Sequence, residues 1–195
     1  TKVMVEESAD EDKIRFDTGG TERAIIDSTG LGIGTSSPSA PLTVSTTGSG
    51  DAVIIESTEA GSSNAPDLVL HRNSASPADN DSLGIIRFRG ENDASEAIDL
   101  INIFGQVTDV SDGSEDSTLY FKTYTDGAEQ SPLTLVGDNV GIGVSDPGDY
   151  DSRAEKLVVG EDADTGITIA GGSSSDCRLV FAVIDQTDLS NGSIG

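Results

Sequence analysis

The sequence predicts an all-β fold of tandem, β-sandwich-like repeats of about 110 residues each. Three observations carry that expectation. The composition is lean: 34% apolar, no Trp, three Tyr and five Phe, with 23 Gly among 195 residues. Aromatic side chains supply much of the buried area in most domains, so a core made only from this chain would be thin. The apolar residues fall in short runs separated by polar, Gly-rich stretches, the pattern of short strands and tight turns. Finally, one segment occurs twice. Gly30-Leu31-Gly32-Ile33-Gly34-Thr35-Ser36-Ser37-Pro38 is echoed by Asn139-Val140-Gly141-Ile142-Gly143-Val144-Ser145-Asp146-Pro147, and Ile33 and Ile142 lie 109 positions apart.

Taken in order, Val3 and Val5 alternate before an acidic run, Glu6 to Asp12, that reads as a solvated loop. Lys13 to Asp17 alternates with period two, Gly19-Gly20 makes a turn, and Arg23 to Asp27 completes a hairpin. The first Gly-Ile-Gly segment follows. Its glycines permit positive φ or close backbone approach, and Pro38 and Pro41 forbid a helix. Leu42-Thr43-Val44 is a brief strand, and 45–51 is a polar spacer. Further strands are expected at 52–56, 67–71, 83–89, 98–107, 117–124 and 133–136. Ala94 to Leu100 has some helical character, but the β-branched residues after it favour strand.

Beyond the second Gly-Ile-Gly segment the same grammar restarts. Leu157-Val158-Val159 replaces Leu42-Thr43-Val44, and Ile167-Thr168-Ile169 replaces Val53-Ile54-Ile55. Leu179-Val180-Phe181 and Asn191-Gly192-Ser193-Ile194-Gly195 follow their earlier counterparts (Leu68 and Asn80 onward) by 111 positions. The expected organisation is the end of one repeat plus a junction in 1–44, a complete repeat with the second junction in 45–159, and the start of a third in 160–195. The chain begins with Thr, which suggests a piece of a longer protein.

Charge narrows the function. Thirty-five acidic and 11 basic residues give a net charge of -24, which argues against nucleic acid and anionic membrane surfaces as partners. No run of 18 apolar residues is present, so no membrane insertion by a helix is expected. There is also no basic-then-apolar leader at the start. The single cysteine, Cys177, is expected to be a buried thiol without a metal or redox role.

Each candidate chemical site has a plainer reading. The Gly30-x-Gly32-x-Gly34 spacing does not match the dinucleotide fingerprint, and prolines stand where its helix would begin. The residues singled out are therefore structural junctions: Gly30, Gly32, Ile33, Gly34 and Pro38 in the first copy, Gly141, Ile142, Gly143 and Pro147 in the second. Asp109 to Asp116 and Asp162 to Gly166 have alternating oxygens like calcium loops, but neither has the closing Glu. No cofactor is expected, with Ca2+ the remaining alternative. His71, the only histidine, is expected at a polar strand end. Arg87 and Arg89 flank Phe88, so Phe88 should point inward and both arginines outward, toward the acidic surface of a neighbouring repeat or subunit. No catalytic triad has support, and an enzyme is not expected.

The stretch from Glu22 to Val44, with Gly32-Ile33-Gly34-Thr35, Pro38, Leu42 and Val44, resembles the GIGT-x-x-P-x-x-x-L-x-V segments of bacteriophage fibre proteins. Such segments are common in virion proteins of marine and cyanobacterial phages. Ile14-Arg15-Phe16, Gly20-Thr21-Glu22-Arg23 and the Asn191 to Gly195 stretch resemble the strands that bracket them. The second copy departs from the pattern: Val144 replaces Thr, and an insert separates Pro147 from Leu157. The resemblance implies an elongated homotrimer in the virion, a tail fibre shaft that supports host attachment. The implied partners are two copies of itself, other fibre or baseplate proteins, and a host surface glycan or receptor. A lean chain that completes its core with two partners fits the same expectation. The alternatives are a receptor-binding adhesin of a capsid or cell surface and a polysaccharide-degrading tail spike.

Overall fold

The structure is a computed structural model that describes residues 1–5, 11–62, 65–150, 156–160 and 167. Among these residues the fold is all-β, apart from one turn of 3-10 helix at Pro147–Asp149. The chain divides into two units, Thr1–Val69 and Leu70–Gly195.

The first unit holds one five-stranded sheet: β1 (Lys2–Val5), β2 (Ile14–Thr18), β3 (Thr21–Ile26), β4 (Leu31–Ile33) and β5 (Leu42–Val44), in that order. Neighbours are antiparallel except β4 and β5, which are parallel. The β2–β3 turn is the expected one. Gly19 and Gly20 have φ of +60° and +76°, the handedness a two-residue hairpin needs to match strand twist.

The second unit holds a six-stranded sheet in the order β11-β10-β9-β8-β7-β6. Its strands are β6 (Ser82–Glu91), β7 (Ala97–Asp109), β8 (Asp116–Thr125), β9 (Ala128–Val136), β10 (Asn139–Ile142) and β11 (Leu157–Val159). Again only the last pair, β10 and β11, is parallel. Asp126-Gly127 closes β8–β9 with positive φ at both residues. Pro132 lies inside β9, between Leu133 and Gln130, where the register to β8 shifts. A proline has no N–H to give to a ladder, and an irregularity is where a strand tolerates that loss.

Two expected strands are absent. Residues 52–56 and 67–71 belong to no sheet, and their apolar side chains stay exposed. Their composition suits a strand, but a strand exists only beside a partner, and among the described residues these stretches have none. His71 is thus an exposed residue in an unpaired stretch rather than at a strand end. Cys177 and the expected strands around 179–181 lie outside the described residues, as does the strand at 167–169 except for Ile167.

Little of the described part of either unit is buried. Among the described residues only Ile25, Val144 and Val158 are buried large hydrophobics. Thr134 is fully buried as well, and its hydroxyl has no hydrogen-bond partner. Thr134 pairs with Gly141 as Ile25 pairs with Gly32, so one position holds an apolar residue in one sheet and an unsatisfied hydroxyl in the other. Thr134→Val should therefore stabilise the second unit by about 1 kcal/mol, the usual gain from removing an unpaired buried polar group. A urea titration would read this as a higher midpoint. A lower midpoint would show that the hydroxyl makes a bond worth keeping.

Candidate assembly surface and its Gly-Ile-Gly junctions

The two Gly-Ile-Gly segments form the same structure bond for bond. In the first, Gly34 N donates to Arg23 O (2.9 Å), Ser45 N to Ile33 O (2.9 Å) and Leu31 N to Pro41 O (2.9 Å). In the second, Gly143 N donates to Pro132 O (3.1 Å), Gly160 N to Ile142 O (3.1 Å) and Val140 N to Lys156 O (2.9 Å). Each segment is the last strand of an antiparallel meander. It turns back, so that the strand after the proline pairs in parallel on its open edge. Pro38 and Pro147 are both buried beneath this turn.

The glycines serve the turn itself. Gly34 and Gly143 have φ of +71° and +72°, where a β-carbon is strained. A Cβ at these positions would also meet a carbonyl oxygen, Ser45 O at 2.2 Å and Gly160 O at 2.5 Å. Gly32 and Gly141 allow a close return of the chain: a Cβ there would lie 2.8 Å from Thr35 O and 2.5 Å from Val144 O. At Gly30 the obstacle would be Pro41 O at 2.4 Å. All of these approaches are made to the chain's own backbone.

Strand alternation sends Ile33 and Ile142 to the face opposite the buried glycines, and there the register produces a continuous apolar surface. Across the first sheet the partners run Val3, Phe16, Ala24, Ile33, Val44 in one row. The next row is Val5, Ile14, Ile26, Leu31, Leu42. Across the second sheet one row is Ile86, Ile103, Phe121, Leu133, Ile142, Val159. Another is Gly84, Gly105, Leu119, Leu135, Val140, Leu157. No ionisable residue occurs in these rows. None of their large side chains is fully buried, and Ile33 and Ile142 are 42% and 44% exposed. The two sheets therefore present the same half-built core.

The opposite face of the second sheet is polar. Phe104 and Tyr120 stack at 5.6 Å, with Lys122 Nζ about 5 Å from both ring centroids. Lys122 also donates to Glu129 (2.9 Å), and Asn102 Nδ2 to the same carboxylate (2.8 Å). Arg87 and Arg89 both reach Asp99, at 3.1 and 2.6 Å. The arginines point to the polar face as expected, but their acid is on the next strand of their own hairpin. Phe88 points to the apolar face and is 53% exposed there. On the polar face, Arg87, Asp99, Asn102, Phe104, Lys122 and Glu129 line an open hollow of about 550 Å³. Asp99 is held below the usual carboxylate range by its hydrogen bond from Arg89, and Glu129 by its bond from Lys122. Both stay ionised at neutral pH, a state suited to ion pairing and unsuited to proton donation. Such pairs contribute above the ordinary carboxylate pKa, and the contribution is lost as pH falls through the depressed value.

Of the two calcium-like stretches, 162–166 lies outside the described residues. In the other, Asp109 accepts from Ser111 N at 2.7 Å. Among the described residues no group of three His, Cys, Asp or Glu side chains is arranged to hold a metal ion. Compared with protein-family models and with curated proteins, the chain matches neither a family nor a curated relative.

Proposed function

We propose that this chain is a structural segment of a homotrimeric phage tail fibre, part of a virion shaft that supports host attachment without catalysing a reaction. The observation that carries this reading is the pair of sheet faces that present uncovered rows of apolar side chains. Soluble monomers rarely leave an apolar patch of this extent open to water. A chain with a net charge of -24 repels its own copies, and these charge-free faces are where copies can meet. Three copies with their apolar faces turned to a common axis build a core that one copy lacks. The stoichiometry of three follows the resemblance of the Gly-Ile-Gly segments to phage fibres, and tandem repetition of the unit sets shaft length. Fibre or baseplate proteins are then the neighbours at the ends, and receptor binding belongs mainly to a distal part of the fibre.

Light scattering at physiological salt, with negative-stain imaging, tests this directly. The expected mass is three times 20.0 kDa in an elongated particle. A compact monomer across a range of concentrations overturns the proposal.

A further inference from the structure

The unpaired stretch Asp67-Leu68-Val69-Leu70 contradicts its own composition. It holds three consecutive apolar residues, 66%, 77% and 50% exposed, and joins no strand. A continuous apolar run differs from the alternation of a one-sided strand: it is the pattern of a segment covered on both sides. One side is already provided for. Gly84 and Gly105 are neighbours in the second sheet, so the apolar face lacks side chains there. Leu70 sits over this bare spot, with Cβ 3.0 Å and Cδ1 3.1 Å from where a Gly84 β-carbon would be. Val69, the residue before it, is the most exposed large hydrophobic among the described residues.

We infer that the Leu68–Leu70 segment is an interlayer between copies: Leu70 rests on the Gly84 site of its own sheet, while Val69 packs against the apolar face of a second copy. This rests on the trimeric fibre reading and names the element that one copy gives to the next. Two arguments select a second copy of this chain as the occupant. The apolar rows carry no ionisable group, so the strong like-charge repulsion between copies is least where Val69 would dock. The surface and the segment are also complementary halves of one sequence: a face lacking a cover and an apolar run lacking a second face. Val53-Ile54-Ile55, 50–71% exposed and equally unpaired, has the same character.

The test uses cysteine pairs in a Cys177→Ser background. Chains carrying Val69→Cys are co-refolded with chains carrying Phe121→Cys and oxidised. The expected result is a disulfide-linked dimer on a non-reducing gel. A matched mixture with Lys122→Cys, on the polar face, should give none. In parallel, Val69→Asp should raise the concentration needed for assembly at least about tenfold, with strand content unchanged, because an exposed side chain is not needed for folding of the single chain. A trimer that tolerates Val69→Asp and cross-links no better than the polar-face control overturns this docking and leaves the fibre reading standing. A monomeric mass for the unsubstituted chain overturns both.

Discussion

Gly34→Ala is expected to unlatch β5 from the first sheet at a cost of about 3 kcal/mol or more. The left-handed φ of +71° alone costs about 1–2 kcal/mol for an alanine. The new Cβ would also stand 2.2 Å from Ser45 O, well inside any real contact, so the backbone has to move. Moving it loosens the Gly34 N to Arg23 O and Ser45 N to Ile33 O bonds, each worth about 0.5–1.5 kcal/mol. Gly19→Ala is the control. Gly19 has φ of +60° and open space where a Cβ would sit, so its substitution pays only for the conformation. Hydrogen exchange should show the Ser45 amide losing protection in Gly34→Ala and keeping it in Gly19→Ala. Equal behaviour of the two variants would mean that the close approach to Ser45 is unimportant. The same comparison applies at Gly143, whose N–H bonds Pro132 O and whose Cβ would meet Gly160 O.

The middle residue of the motif should behave in the opposite way. Ile142→Asp, alone or with Ile33→Asp, should leave strand content intact, since both side chains are more than two-fifths exposed in the single chain. On the fibre reading it places a carboxylate at the axis of the assembly, where an unpaired charge costs several kcal/mol per copy. Light scattering should then give a single-chain mass where the unsubstituted protein gives three. An unchanged mass would remove the Ile142 row from the interface. Together the substitutions separate two roles within three residues: the glycines hold one chain's turn, and on the fibre reading the isoleucine meets the other chains.

Much of the all-β fold is legible because it is written locally. The Gly19-Gly20 hairpin follows from two residues, and the long strands of the second sheet follow from the alternation of Ile86 to Arg89 and from the β-branched and aromatic run at 117–124. The parallel pairing of Leu42–Val44 on Leu31–Ile33 is different. No local period encodes it, because it depends on the chain first turning through Gly34 and burying Pro38. Val53-Ile54-Ile55 and Leu68-Val69-Leu70 mislead for a related reason: propensity records a fit to a sheet, not whether a neighbour is present. The paired recurrence of Gly32-Ile33-Gly34 and Gly141-Ile142-Gly143 is plain in the sequence, and the two segments make equivalent backbone hydrogen bonds. That the Ile and the Gly residues face opposite sides became visible only with the strand register. The Asp99 ion pairs were equally hidden, since Arg87 and Asp99 are brought together only by the β6–β7 pairing.

The parallel closing strand has one more consequence. Three residues separate Pro38 from Leu42, whereas nine separate Pro147 from Leu157, yet both closing strands are held in the same register by equivalent bonds. Docking of that strand is set by the latch at Gly34 or Gly143, independently of how much chain lies in between. This stretch is therefore a natural grafting point. Evolution, or an engineer displaying a foreign peptide, can lengthen it without disturbing the architecture beneath.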